Sequence, residues 1–280
     1  MEDTNPMKLK VLMMQKNEEL LLPVWSAFFG NLFGHENIHI FDNGSTNPNV
    51  IATLDMLEKQ GVHVYRQFNT VEDFARKGDI IAEKIIELDR EDPADFYFPL
   101  DCDEFLIVHR KGEYSCSRRA LETMLAPYRG MQDVMLFGTS FDNYPGKPGH
   151  FVRKGRKKCF FAKDTCKYLD LGFHKAKAKR SGESVKARGV WQIHLHNKPF
   201  DLLKEHAIQK MVGRVESFEP EALIAHREAR GKGMHLVDEL LLSSEEEYLA
   251  RAAEKYKDIE IERLRAFEDA LERANVKLPY

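Results

Sequence analysis

Phe96-Tyr97-Phe98-Pro99-Leu100-Asp101-Cys102-Asp103-Glu104 decides the fold. Its first five residues are continuous, apolar and aromatic and stop at a polar turn, the signature of a short buried strand. Two carboxylates one residue apart follow at once. In open α/β sheets, ligands bind at the carboxyl ends of the strands. Hard oxygen donors placed there suit Mg²⁺ or Mn²⁺, which keep part of their coordination for substrate phosphates. The stretch therefore offers a metal and diphosphate site. The alternative is an acidic turn that only solvates a strand end.

Working outward, residues 8–14 form a compact apolar strand. Residues 18–32 have helical periodicity, with Asn17 as the expected N-cap and a local irregularity at Pro23. A second strand over 37–41 ends in Asp42-Asn43-Gly44-Ser45-Thr46. A helix over 50–60 closes at Gly61, a third strand covers 62–65, and a long amphipathic helix spans 71–89. Strands alternating with helices predict an α/β fold with a mostly parallel sheet flanked by helices. Right-handed crossovers then bring Lys16-Asn17-Glu18, Asp42-Asn43 and Asp101-Cys102-Asp103 to one edge. Downstream, a strand is expected over 133–139, an irregular Gly-, Pro- and Lys-rich segment over 140–184, and a strand over 190–196. Helices follow over 201–215, 220–230, 244–257 and 258–275, so the expected division is 1–200 for the sheet domain and 201–280 for a C-terminal helical extension. The irregular segment is expected to act as a mobile loop on the acceptor side.

The 280 residues carry a formal net charge of −3 and are 43% hydrophobic, enough for a core and without general attraction to nucleic acid. Cys102, Cys116, Cys159 and Cys166 form no Cys-x-x-Cys pair, which speaks for reduced thiols and a cytoplasmic protein. The acidic, polar beginning has no signal-peptide pattern, and no apolar run approaches spanning length. Peripheral membrane contact is left open, as is a homo-oligomer formed through the C-terminal helices.

Several residues have the chemistry to join the acidic turn. In a strand, His194 and His196 share one face, and a neutral imidazole there can complete a metal shell, with His194 preferred. Asp42 can accept hydrogen bonds from a nucleobase or ribose, or simply serve its turn. Asn17, at a helix start on the ligand edge, favours a diphosphate nearby. The basic run Arg153-Lys154-Gly155-Arg156-Lys157-Lys158 and the lysines at 167, 175, 177 and 179 can clamp phosphates, Lys175 first among them. The chain lacks a P-loop, a Gly-x-Gly-x-x-Gly after the first strand and a Gly-x-Ser-x-Gly elbow, so NTPase, dinucleotide and serine-hydrolase classes are set aside.

With these residues in view, the chain resembles the family 2-like and family 92-like glycosyltransferases. The matching pieces are Lys16-Asn17-Glu18, Ile40-Phe41-Asp42-Asn43-Gly44-Ser45-Thr46, Phe98-Pro99-Leu100-Asp101-Cys102-Asp103-Glu104-Phe105-Leu106, Phe137-Gly138-Thr139-Ser140, and the Lys175 segment before Ile193-His194-Leu195-His196. Together they cover about residues 8–200. The resemblance implies a GT-A (Rossmann-like) nucleotide-sugar fold. It implies Mn²⁺ or Mg²⁺ on Asp101 and Asp103, a histidine of the 194–196 pair helping to hold the metal, and Asp42 at the nucleoside. A UDP-linked sugar donor and a glycan or lipid-linked acceptor follow, with inversion at the anomeric carbon. Two departures stand out. Asn47 replaces a frequent Asp, and no Gln-x-x-Arg-Trp motif occurs, which points to a non-processive enzyme. The base is expected after the metal motif, with Asp142 ahead of Asp164 and Asp170. The rival functions are a sugar nucleotidyltransferase, for which Met14-Gln15-Lys16-Asn17 is a poor loop, and a catalytically silent carbohydrate-binding or assembly protein.

Overall fold

The computed structural model describes residues 6–155, 158–231 and 233–280. It divides into two units. The first runs up to Phe141 and adds Arg153–His194 and Leu264–Pro279; the second holds Asp142–Val152, Leu195–Arg263 and Tyr280.

The first unit begins with β1 (Leu9–Gln15), α1 (Leu21–Phe33), β2 (Ile38–Asp42), α2 (Pro48–Lys59) and β3 (His63–Tyr65). Helices α3 (Val71–Ala75) and α4 (Lys77–Glu91) lead to β4 (Phe96–Pro99). Strand β1 lies between β2 and β4 and is parallel to both, and β3 continues the parallel series from β2. The order β3-β2-β1-β4 is one half of a doubly wound sheet. All seven residues of β1 are buried, as a strand covered on both faces requires. On one face Leu12, Met14 and Tyr97 meet Ile80, Ile81 and Ile85 of α4. On the other, Phe98 meets Phe33 of α1 at 5.6 Å between ring centroids. The result is an α/β fold with helices flanking the sheet, as the alternation of signals predicts.

The chain continues through β5 (Glu104–Arg110), β6 (Glu113–Ser115), α5 (Arg118–Leu125), β7 (Val134–Phe137), β8 (Ser140–Asn143) and β9 (His150–Lys154). Next come β10 (Cys159–Ala162), β11 (Cys166–Leu169), β12 (Ala176–Ala178), β13 (Ser184–Ala187) and β14 (Val190–His194). Strand β10 joins β4 antiparallel, β7 joins β10 antiparallel, and β13 joins β7 parallel, which extends the main sheet to seven strands. Strand β14 runs antiparallel to β5, with His194 opposite Glu104. The second unit carries α6 (Phe200–Met211), α7 (Pro220–Glu228), α8 (Met234–Leu240), α9 (Glu245–Tyr256) and β15 (Ile261–Arg263), the last paired with β9. Helix α10 (Arg265–Arg273) returns to the first unit, where the Phe267 ring packs at a tilt against Phe105 at 5.1 Å between centroids.

Several expectations are corrected. Segment 140–184 is not irregular: it holds β8 to β12 and the start of β13. These strands are three to five residues long and separated by Lys- and Gly-rich turns, too short for a period to show. The expected long helix over 71–89 breaks at Arg76. A capping box between Thr70 and Asp73 starts the short α3, and α4 starts afresh at Lys77. Asn17 caps no helix, because α1 begins at Leu21. It sits in the left-handed region at φ 56, which Asn tolerates better than most residues, and its Oδ1 accepts the N–H groups of Thr46 and Asn47. Pro23 disturbs nothing, since the first turn of a helix needs no N–H from it. The helix expected over 258–275 is strand β15 followed by α10, and helix α8 has no counterpart among the expectations.

Candidate active site

The main sheet places the acidic turn. Leu100 extends the β4 ladder by one bond, its N–H donating to the Leu12 carbonyl at 3.0 Å. The chain then reverses. Glu104 N–H donates to the Asp101 carbonyl at 3.0 Å, and Asp101 N–H donates to Glu104 Oε2 at 2.9 Å. This closes a four-residue turn at both rungs and fixes Asp101 and Asp103 at the carboxyl end of β4. Because His194 pairs with Glu104 across β5 and β14, it arrives beside the same turn, with Nε2 3.4 Å from Asp103 Oδ2. Ligand atoms of Asp103, Glu104 and His194 lie within 4.8 Å of one another.

Asp101 is held differently. Lys77, the first residue of α4, reaches its Oδ1 at 2.6 Å, and Lys158 reaches its Oδ2 at 2.7 Å. Lys158 also meets Glu104 Oε1 at 2.6 Å. The Lys158 side chain is 6% exposed, that of Glu104 0% and that of Asp101 29%, so the pairs are largely desolvated. Below them lies the ring of Phe173, 4.5 Å from the Lys77 ammonium and 5.1 Å from that of Lys158. Phe173 is fully buried at φ 59. A bulky residue held there carries strain, which tends to persist at functional sites. Helix α4 comes close to this segment because Gly78 has no side chain: a Cβ would stand 2.3 Å from the Leu169 carbonyl oxygen.

The charges tune one another. Burial alone would raise the Asp101 carboxyl, but Lys158 and then Lys77 outweigh it and hold it well below the usual carboxylate range. Burial alone would lower the Lys158 ammonium; Asp101 and Glu104 push it above its ordinary value instead. Burial likewise opposes protonation of His194, and Asp103 overrides it, so the imidazole holds its proton to higher pH than usual.

A pH dependence follows. A folded pKa above the unfolded value of about 6.5 means that the His194–Asp103 pair stabilises fully below that pH. The contribution disappears as pH rises through the folded pKa. Without metal, the melting temperature of the parent minus that of His194→Gln is expected to be larger at pH 6 than at pH 8. An unchanged difference would show that the pair has no titrating role.

The remaining candidates are placed as follows. Asp42 is buried; its Oδ1 accepts from Gln15 Nε2 at 2.7 Å and from Ser45 Oγ at 2.5 Å, bracing the loop after β2 against the end of β1. Asn17 ties the same two loops together, Glu18 N–H donates to Gln15 Oε1 at 3.2 Å, and Lys16 is exposed. Lys175 is exposed and its N–H donates to Asp170 Oδ1 at 3.0 Å. Asp170 also takes the His174 N–H, and Asp164 pairs with Lys179 and Arg180, so both serve surface turns. Asp142, fully buried, and His196 belong to the second unit, and β14 ends before His196. Arg156 and Lys157 lie outside the described residues.

Lys77, Phe173 and the double role of Glu104 were missed from sequence. Lys77 sits inside a helical pattern among other charged residues, where nothing marks it out. Phe173 lies two residues before the favoured Lys175. Only Lys158 belongs to the basic run 153–158, whose composition marks it.

No protein-family model matches the chain, and no curated protein does either. Among solved structures, it is similar to S. aureus TarS, with 10% identity, a TM-score of 0.39, and coverage of 73% of this chain and 40% of that one. It is similar to glucosyl-3-phosphoglycerate synthase from Mycobacterium tuberculosis in complex with Mn²⁺, UDP-glucose and phosphoglyceric acid, with 15% identity, a TM-score of 0.36, and coverage of 74% and 77%. A cytidylyltransferase from Leptospira borgpetersenii gives 13% identity, a TM-score of 0.30, and coverage of 56% and 60%. The chain thus spans less than two thirds of TarS and of the cytidylyltransferase.

Proposed function

We propose that the chain is a divalent-metal-dependent, non-processive glycosyltransferase of the GT-A type. It takes a sugar from a nucleoside diphosphate, UDP foremost, to a hydroxyl acceptor on a glycan or a lipid-linked glycan, with inversion. The observation that supports this most is the meeting of Asp103, Glu104 and His194 at the carboxyl end of a central parallel strand, where α/β sheets receive phosphorylated ligands. The motif Asp101-Cys102-Asp103-Glu104-Phe105-Leu106 adds the family resemblance.

The donor set fits such a metal. The Asp103 carboxylate and the His194 imidazole are hard to borderline ligands that suit Mn²⁺. Asp103 and His194 are the partly exposed members, 21% and 13%, and would hold the ion. Glu104, buried with one oxygen on Lys158 and the other on the Asp101 N–H, keeps the turn in shape behind them. When bound, the ion supplies Lewis-acid neutralisation of charge on the departing diphosphate. The loop braced by Asp42, Ser45 and Asn17 takes the nucleoside side. From its place in the sequence after the metal motif, Asp142 is the carboxylate proposed as the base that receives the acceptor's hydroxyl proton.

Thermal-shift titration with UDP-, GDP- and CDP-sugars, each with and without Mn²⁺, tests the proposal. A UDP-sugar is expected to raise the melting temperature only when Mn²⁺ is present. No shift with any nucleotide sugar, against a clear shift with free glycans, would favour a silent carbohydrate-binding protein.

A further inference from the structure

Lys77 has one anionic partner among the described residues, Asp101. Its ammonium lies 4.5 Å from the Phe173 ring centroid and 5.6 Å from that of Phe74, and Phe74 is 39% exposed. An ammonium has three donors, so Lys77 is positioned by aromatic faces without being saturated by acceptors. Lys158 differs, because it is shared between Asp101 and Glu104. The cluster thus sets three carboxylates, Asp101, Asp103 and Glu104, against two ammoniums.

We propose that Lys77 is a diphosphate-binding cation and that Asp101 is its resting counter-ion, not a ligand of the metal. The proposal rests on the nucleotide-sugar reading above. Asp101 holds an anionic oxygen at hydrogen-bond distance from Lys77 and marks where a phosphoryl oxygen would sit. A diphosphate has more charge to offer than one carboxylate and can take over this contact, while Lys158 keeps hold of Asp101. Asp103 and His194 would hold the metal, and Lys77 would add a second cationic point at Asp101. A diphosphate, with two linked anionic groups, has the charge to meet both. With His194 neutral, the two lysines leave the cluster a single net negative charge, so a cation alone meets little attraction. Metal and diphosphate therefore bind better together than apart, and each strengthens the other equally.

The test uses Mn²⁺ alone, followed by electron paramagnetic resonance, and inorganic pyrophosphate titrated calorimetrically in the presence of Mn²⁺. Lys77→Met is expected to bind Mn²⁺ alone more tightly, because a repelling charge is gone. It should bind pyrophosphate at least about tenfold more weakly. Lys77→Arg should stay close to the parent in both. Opposite signs in Lys77→Met separate this role from general damage, which would weaken both. Should Lys77→Met fail to fold, Asp101→Asn decides: it is expected to bind pyrophosphate at least as well as the parent. Loss of Mn²⁺ binding in Asp101→Asn as complete as in Asp103→Asn would overturn the proposal. So would unchanged pyrophosphate affinity in Lys77→Met, or a parent that binds no pyrophosphate with Mn²⁺. If pyrophosphate binding depends on Lys77 while UDP does not compete, the subsite stands and the nucleotide-sugar reading falls. If UDP binds and no variant alters it, the reverse holds.

Discussion

Lys158→Met is expected to destabilise the protein by about 3 kcal/mol or more, the usual cost of breaking a buried ion pair from one side. The Lys158 side chain is 6% exposed, and its ammonium neutralises Asp101 at 2.7 Å and Glu104 at 2.6 Å. Methionine fills the space of the stem but leaves Glu104, with no exposure of its own, as a buried charge without its cation. For a chain of this size the loss corresponds to a fall of roughly 6–12 °C in melting temperature. The double variant Lys158→Met with Glu104→Gln should recover part of the loss, since the orphaned carboxylate is then gone. A melting temperature within a degree or so of the parent in the single variant would mean that the cluster is not closed as described. Deletion of an exposed pair such as Arg227–Asp238 should by contrast change little.

What could be read in the sequence was whatever is local. Phe96-Tyr97-Phe98-Pro99 declares a strand by its own composition, and the four parallel strands with their intervening helices announce the sheet. The acidic turn is local too, whereas the link to a histidine near 194 comes from the family resemblance and from the two imidazoles sharing a strand face. Strands β8 to β13 were not legible, because each contributes only a few residues and gains its place by pairing with partners far along the chain. Cys159-Phe160 pairs with Leu136 and Met135, for example, on a strand more than twenty residues earlier. Pairing across such distances leaves no period to read. The same holds for the site. Lys77, Lys158 and Phe173 come from α4, the stretch before β10 and the turn before β12, and only the fold brings them to Asp101. Asn17 shows the opposite case: its type predicts a helix cap, whereas its side chain joins two loops at the sheet edge.

Asp103→Asn is expected to have the largest effect on ligand binding. The substitution keeps the shape of the side chain and removes the charge that a divalent ion needs. Asp103 is partly exposed, inside a turn closed by one backbone bond and by the Asp101 N–H donating to Glu104 Oε2, and His194 Nε2 lies 3.4 Å from its Oδ2. The fold should survive, since Asp103 is not the carboxylate that pairs with the buried lysines. Loss of a charged ligand should weaken metal binding by about 100-fold or more. UDP affinity measured with Mn²⁺ should fall with it, and UDP affinity without Mn²⁺ should stay as it was. His194→Ala is expected to shift metal binding in the same direction and to lessen its fall toward acid pH, because protonation of the imidazole competes with the ion.

The most direct measurement is an electron paramagnetic resonance titration of Mn²⁺ into the parent and into Asp103→Asn, each in the presence of saturating UDP. The parent is expected to take up one Mn²⁺ per chain, with the free-ion signal suppressed until that point is reached. Asp103→Asn should leave the ion free, apart from what UDP alone holds. Equal uptake by the two proteins would contradict the assignment of the metal to Asp103, and with it the proposal that this edge of the sheet is a metal–diphosphate site.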